Sequence, residues 1–100
     1  ANLPPFAHMA IIRAESKNPR EAQSWLSKIK NELPDDEIAF GPIPLHMARK
    51  GGFHRAQIMI STASRVQRSQ ALLAIQSKLK QKPNTRTFRW HLDVDPIGTL

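Results

Sequence analysis

The last part of the chain, residues 86–96, alternates between apolar and polar side chains. One parity is apolar and consists of Phe88, Trp90, Leu92 and Val94. The other is polar and consists of Thr87, Arg89, His91, Asp93 and Asp95. Because a two-residue period places successive side chains on opposite faces of a strand, this pattern predicts a half-buried strand with Arg89 and His91 facing outward. Pro96 cannot donate a ladder hydrogen bond, so we expect pairing to stop there.

The first half of the chain predicts a strand, a helix and a second strand. Residues 7–15 are apolar on both parities, which favours a central strand. Asn18-Pro19 is typical of a helix start and Pro34 of its end. Between them runs an amphipathic stripe of Ala22, Leu26, Ile29 and Leu33. Two prolines in residues 38–44 indicate an edge or bent strand.

The second half predicts a hairpin, a strand and a helix before the closing strand. Gly51-Gly52 lies in a basic connection over residues 46–55 and is typical of a hairpin turn. The third strand carries Ala56, Ile58 and Ile60 on one parity. Ser64 can cap a second helix running to about Lys80. Its apolar stripe is Leu72, Ile75 and Leu79.

The predicted order is strand, helix, strand, strand, helix, strand. This order is typical of a split β-α-β or ferredoxin-like α+β sandwich, with both helices on one face of a four-stranded sheet. One hundred residues fit a single domain, 1–100.

Net charge and composition limit the functions that this chain can have. The net charge is +7, from 15 Lys and Arg against 8 Asp and Glu, which favours an anionic partner such as nucleic acid or an acidic peptide. The absence of cysteine excludes disulfides and thiolate zinc sites within the chain and is compatible with the cytoplasm. No apolar run approaches the roughly 20 residues of a membrane span, so we expect no membrane partner.

The outward parity of the third and closing strands supplies the first candidate site. It consists of Arg55, Gln57, Met59, Arg89 and His91. Guanidinium groups on a rigid sheet suit phosphate and carboxylate recognition. Arg49 and Lys50, beside the hairpin glycines, form a second basic cluster. Phe53 is the one aromatic expected on the open parity, which argues against a base-stacking platform for sequence-specific RNA.

The sequence contains little that supports an enzymatic or a metal-binding function. The four histidines lack the spacing of zinc motifs, and neither a Walker loop nor a serine-hydrolase elbow occurs. Asp93 and Asp95 are interpreted as strand-ending residues, and no catalytic residue is assigned. An acylphosphatase-like hydrolase shares the predicted topology, but Ala14-Glu15-Ser16-Lys17 stands where its glycine-containing anion loop would be.

The ordered motifs of the chain resemble the C-terminal domain of the PriA family, the bacterial primosomal replication-restart helicases. The resemblance covers nearly the full length. Its motifs are Leu3-Pro4-Pro5, Ile12-Arg13-Ala14-Glu15, Gly41-Pro42-Ile43-Pro44, Arg49-Lys50-Gly51-Gly52, Ser64-Arg65-Val66 and Trp90-His91-Leu92-Asp93-Val94-Asp95-Pro96. It implies a fold similar to a small-subunit ribosomal protein.

The resemblance also implies that the chain is a non-catalytic C-terminal domain, a fragment of a larger cytoplasmic bacterial helicase. Full-length members are ATP-dependent 3′-to-5′ DNA helicases. The ATP, Mg and zinc sites are expected upstream, so no cofactor is expected in this fragment. The implied partners are branched or forked DNA, the single-stranded DNA-binding protein (SSB), other primosome proteins and the rest of the helicase chain.

Two functional hypotheses follow. The first is a DNA-binding module that recognises structure through Arg49, Lys50, Arg55, Arg89 and His91. The second is a protein-interaction and scaffolding domain that contacts the acidic SSB tail. In the family an Arg and a Gln one helical turn apart are associated with that tail, and this resemblance points to Arg65, Ser69 and Gln70. Here Ser69 stands at the Gln position, with Gln70 beside it.

Overall fold

The computed structural model describes residues 8–34, 38–45 and 52–94. Within them the chain forms four strands and two helices in the predicted order. These are β1 (His8–Ser16), α1 (Glu21–Asn31), β2 (Ala39–Leu45), β3 (His54–Thr62), α2 (Arg65–Lys80) and β4 (Phe88–Val94). The predicted α+β class and element order are confirmed.

The four strands form one antiparallel sheet in the order β2-β3-β1-β4. β1 pairs with β3 along His8–Ser16 and with β4 from Ala10 to Ser16. Its central place agrees with the apolar residues on both parities of its sequence, since it is hydrogen-bonded along two edges and residues 9–12 are all buried. β2 lies at the edge, as its prolines predict.

Both helices pack on one face of this sheet and enclose the core. The side chains with no exposed surface include Ile12, Ile58 and Ile60 from the strands and Leu26, Ile29 and Ile75 from the helices. Full burial of each such side chain stabilises the fold by about 1.5–3 kcal/mol. Neither α1 nor α2 packs on the opposite side of the sheet, and we call that side the open face. Its polar residues include Arg13, Glu15, Arg55, Gln57, Arg89 and His91.

Aromatic side chains fill the core beside β4. The ring of Trp25 meets that of Phe88 edge-on at 5.3 Å between centroids and lies 5.9 Å from that of Trp90. Parity predicts that Trp90 packs against the core, which is confirmed, and Trp25 packs against it as well. The same prediction is wrong for Val94, which is 42% exposed. Parity assigns a side chain to a face but does not determine whether a helix covers that end of an edge strand.

The two helix starts differ in how they are capped. The hydroxyl of Ser64 accepts a hydrogen bond from the Gln67 backbone N–H at 3.0 Å, so the predicted cap of α2 is confirmed. α1 begins at Glu21, later than Asn18-Pro19 predicts. Asn18 instead accepts from the Arg20 N–H at 3.1 Å, which forms a turn before the helix.

A polar link joins the start of α1 to the sheet and to the end of α2. The buried Ser16 hydroxyl donates to the Glu21 carboxylate at 2.5 Å, and the Lys82 ammonium lies 3.3 Å from the other carboxylate oxygen. The Ser16 hydrogen bond is the main cause of a lowered pKa for Glu21, and Lys82 adds to it against the opposing effect of burial. Lys82 also accepts a hydrogen bond from the Trp90 indole N–H through its carbonyl oxygen.

β2 bends where the register shifts between Phe40 and Ile43. Gly41 lies in the bend with φ of +113°, a conformation that side chains disfavour. A Cβ atom at this position would come within 2.7 Å of the Gln57 carbonyl oxygen. The bend therefore depends on glycine for both backbone conformation and close strand approach.

We predict that Gly41→Ala lowers the free energy of unfolding by about 2–3 kcal/mol, because it adds a steric clash to a strained backbone. Gly52→Ala is the matched control. Gly52 also has positive φ, +78°, but a Cβ there has nothing within 4 Å. We expect a loss of about 1 kcal/mol for this control. Equal losses in urea unfolding would show that the close approach at Gly41 is unimportant.

We predict that Glu21→Gln destabilises the protein at neutral pH and that the difference disappears in acid. A carboxylate whose folded pKa is lowered stabilises the fold above its unfolded value of about 4.5. That contribution is lost as the pH falls through the lower folded pKa. Urea unfolding of wild type and variant from pH 7 to pH 3 measures the difference. In a Ser16→Ala background the pH dependence should shrink, and an unchanged dependence would contradict the assigned cause.

Candidate nucleic-acid interface

The sheet register brings three charged side chains of the open face into one row. Glu15 on the central strand β1 lies opposite Arg55 of β3 and opposite Arg89 of β4. Neighbouring strands lie about 4.8 Å apart, so the two arginines flank the carboxylate on either side. The row results from antiparallel pairing of distant segments, because Glu15 is 40 residues from Arg55.

Both arginines contact the Glu15 carboxylate. Arg55 Nε donates to one oxygen at 2.7 Å, and a terminal nitrogen of Arg89 lies 3.5 Å from the other. The Glu15 side chain is 17% exposed, whereas the Arg55 and Arg89 side chains are 38% and 54% exposed. The carboxylate is thus shielded while both guanidinium groups still reach solvent. Glu15 fixes the position of two cations and cancels one of their charges.

A second row lies one step along the same face, around Arg13. Arg13 Nε donates to the side-chain oxygen of Gln57 at 3.3 Å, and its terminal nitrogen lies 3.9 Å from the Asp93 carboxylate. His91 is the β4 partner of Arg13 in the register. Arg13 is 48% exposed, and the long Asp93 contact holds it weakly.

The two rows border a cleft of about 440 Å³. Its lining consists of Arg13, Ala14, Glu15, Leu45, Arg55, Arg89, Trp90 and His91. Three guanidinium groups face a single lining carboxylate, so the cleft is positive. We call it the arginine cleft.

Cations also cover Phe53, the aromatic that parity assigns to the open face. The Arg89 guanidinium lies 4.6 Å from the ring centroid and the Lys17 ammonium 5.5 Å. Phe53 is only 7% exposed as a result. Its ring supports the basic groups by cation–π contact and is not open to a stacked base.

The edge of the open face along β2 is apolar. Phe40 is the register partner of Met59, Ile43 of Gln57, and Leu45 of Arg55. Phe40 is 61% exposed and Ile43 is 44% exposed. The expectation that Phe53 is the one aromatic on this face is therefore wrong. The prolines and glycine of β2 obscure its alternation, and the register shift at Gly41 explains why parity counting missed Phe40.

The three residues that the family resemblance relates to the SSB tail lie on α2, on the other side of the sheet. Arg65, Ser69 and Gln70 are all exposed. Arg65 and Ser69 are one helical turn apart and share a helix face. Val66 and Leu73, which are 67% and 68% exposed, follow the same helical spacing on either side of Gln70.

Comparison of the sequence with known proteins identifies its family. The model of the primosomal protein N C-terminal domain matches residues 1–97. The replication restart protein PriA of Haemophilus influenzae is 31% identical over 99 residues, which cover 94% of this chain. The chain belongs to the PriA C-terminal domain family.

This PriA C-terminal domain spans about 13% of the length of its Haemophilus relative. Its fold also resembles a solved structure of different origin, the de novo designed protein Foldit4. That likeness has a TM-score of 0.55 at 10% identity and covers 87% of this chain and 96% of the other. At such low identity it supports the split β-α-β fold and nothing about function.

The predicted DNA-contacting residues of the PriA C-terminal domain fall into two groups. Arg55, Arg89 and His91 meet at the arginine cleft. Arg49 and Lys50 lie outside the described residues, as does Asp95. Gln57 and Met59 are on the open face as predicted, because they pair with Arg13 and Ile11 of β1.

Arg13 and Glu15 were not predicted as site residues, although the sequence pattern of β1 contains a signal for both. In β1 they share the parity of Met9 and Ile11 and oppose the buried Ala10, Ile12 and Ala14. Charged residues two apart in a strand that is otherwise apolar indicate the face turned away from the helices. Lys17 extends the same parity beyond the strand.

Neither metal nor membrane features are found in the part of the chain that the structure describes. No group of three or more His, Asp or Glu residues there is placed to hold a metal ion. Asp93 lies near the end of β4, and its carboxylate is 3.9 Å from a terminal nitrogen of Arg13. In the same part of the chain, neither helix has the length and hydropathy needed to cross a bilayer.

Proposed function

We propose that this chain is the non-catalytic C-terminal domain of a bacterial replication-restart DNA helicase, and that it binds branched or forked DNA through the arginine cleft. The observation that carries the proposal is the convergence of Arg13, Arg55 and Arg89 on one cleft of a rigid sheet, where Glu15 contacts two of them. The net charge of +7 adds long-range attraction to a polyanion.

The arrangement suits the phosphate backbone. Each guanidinium offers a planar fork of donors that matches the oxygens of a phosphodiester, and charge-assisted bonds of this kind are strong. The arginines sit on paired strands, so little conformational entropy is lost on binding. Phosphate contacts of this kind position a protein on DNA without selecting a base sequence. Recognition by the shape of the junction follows from such contacts.

We propose this function for the domain as one part of a whole helicase. In it, ATP hydrolysis with Mg, unwinding in the 3′-to-5′ direction and the zinc sites belong to parts of the protein beyond this chain. This domain holds the DNA while the motor acts elsewhere in the same cytoplasmic protein. Other primosome proteins and the neighbouring helicase domains are the remaining partners.

A second candidate function is contact with the acidic tail of SSB through α2. Arg65, Ser69 and Gln70 supply a cation and polar groups, and Val66 and Leu73 place exposed apolar surface beside them. An acidic peptide with apolar side chains would complement both. The two functions are compatible because the helix and the arginine cleft lie on opposite sides of the sheet.

We predict that Arg89→Ala and Arg65→Ala affect different ligands. If the wild type neutralises about four phosphates of forked DNA, the logarithm of its binding constant should fall with the logarithm of salt concentration with a slope of roughly −4. Arg89→Ala should reduce this slope to roughly −3 and weaken binding at low salt. Arg65→Ala should leave the DNA slope unchanged and weaken binding of an SSB tail peptide. Fluorescence anisotropy with forked, duplex and single-stranded DNA across salt measures each.

The two variants serve as controls for each other, since each removes one positive charge. Equal losses in DNA affinity would show that only net charge matters, which contradicts a localised cleft. DNA binding that is undetectable at low salt, or insensitive to salt, would remove the first function. Full tail-peptide affinity in Arg65→Ala would remove the second.

We predict that Glu15→Gln strengthens DNA binding. The carboxylate occupies donors of Arg55 and Arg89 that a phosphate would use, so its replacement frees both forks and raises the net charge from +7 to +8. Affinity for forked DNA should rise several-fold, with a salt slope steeper by about one. Glu32→Gln adds the same charge on the far side of the domain and should have a smaller effect. Weaker binding of Glu15→Gln would mean that the carboxylate is needed to orient the arginines.

A further inference from the structure

Core packing does not explain why apolar side chains of β2 lie on the open face. Phe40, Ile43 and Leu45 lie along β2 on the face away from the helices, next to Met59. Phe40 is the most exposed of them at 61%. Isolated exposed apolar side chains are common, but a row of them beside a cationic cleft is typical of a binding surface.

From this juxtaposition we infer that the open face binds unpaired DNA, with phosphates in the arginine cleft and bases stacked on Phe40 along the β2 edge. The inference rests on the proposed DNA-binding function and specifies its substrate class. It assigns to Phe40 a direct contact with a nucleobase.

The register places the two halves of this surface within reach of one strand of DNA. Ile43 and Leu45 are direct partners of Gln57 and Arg55, one strand spacing of about 4.8 Å away. Gln57 in turn accepts a hydrogen bond from Arg13 at 3.3 Å. Apolar side chains of the β2 edge therefore lie one or two strand spacings from the guanidinium groups of Arg55 and Arg13, and Phe40 lies beside Met59, two residues further along β3 than Gln57.

The chemistry favours unpaired over duplex DNA. In a duplex the base faces are stacked on one another, so a duplex bound by its phosphates would leave the β2 edge in contact with water. An unpaired strand presents both phosphates and free base faces, and stacking is tolerant of sequence because every base has a π-face. The surface thus fits a single-stranded segment of any sequence, such as that at an open fork.

Strand alternation and the bend at Gly41 together place Phe40 and Ile43 on the same face. Ala39 enters the core at 6% exposure, so strand alternation turns Phe40 to the open face. After the register shift, Ile43 returns to that same face opposite Gln57. The Lys30 ammonium also donates to the Gly41 carbonyl at 3.1 Å and ties the bend to α1. The aromatic ring is therefore held on a defined segment.

The test compares three ligands of equal length: an oligothymidylate, an abasic strand with the same phosphates, and a duplex. Wild type should bind the oligothymidylate about tenfold more tightly than the abasic strand. This ratio corresponds to the lower part of the range of free energies for stacking one base on an aromatic side chain. Phe40→Ala should abolish that preference and leave binding to the abasic strand and the duplex unchanged. Leu73→Ala, at an equally exposed apolar position on α2, should retain it.

Phe40→Trp provides a readout independent of affinity. Its indole fluorescence should be quenched by the oligothymidylate and not by the abasic strand, once the same titrations of wild type have been subtracted to remove the signal of Trp25 and Trp90. Quenching by both strands, or by neither, would overturn the assigned base contact.

The outcomes separate this inference from the function on which it rests. If Phe40→Ala binds all three ligands like wild type while Arg89→Ala weakens them, the cleft binds DNA and the stacking inference is wrong. If wild type binds none of the ligands at low salt, the proposed function itself fails. If Phe40→Ala weakens only an acidic, apolar peptide, the β2 edge is a peptide site and the inference is overturned.

Discussion

The charged row of the open face is organised around the Glu15 carboxylate, which lies between Arg55 and Arg89 on the central strand. Its two oxygens lie 2.7 Å and 3.5 Å from guanidinium nitrogens that come from different neighbouring strands. β1 can carry this charged row because its other parity, Ala10, Ile12 and Ala14, enters the core. The strand thus anchors the fold on one face and orders the cations on the other.

This arrangement has opposing effects that a charge count does not reveal. A carboxylate among arginines lowers the local positive charge, yet it also holds two long side chains in place before any ligand arrives. Exposed ion pairs contribute only about 0–1 kcal/mol, so stability alone gives little reason for the row. For DNA binding we expect the loss of positive charge to outweigh this ordering, so what the row contributes is the placement of both guanidinium groups beside the apolar edge of β2. Charge and apolar surface then meet on one rigid sheet.

Much of the fold could be predicted because local patterns determine it: the alternation in β4, the spacing in both helices, the Ser64 cap and the prolines of β2. The site was predicted only in part. Arg55, Arg89 and His91 follow from parity, but the contact with Glu15 depends on pairing between residues 40 or more apart, which local patterns do not encode. Phe40 was missed because the register shift at Gly41 breaks the two-residue period, and Val94 because parity does not show where helical cover ends.

The central claim is that DNA binds to the open face at the arginine cleft and not to the helices. Backbone amide NMR of the chain, titrated with a short forked DNA, tests it most directly. The account predicts that chemical-shift changes concentrate at Arg13, Glu15, Arg55, Arg89 and His91 and extend to Phe40. Changes confined to α1 and α2, with the resonances of β1, β3 and β4 unmoved, would contradict it.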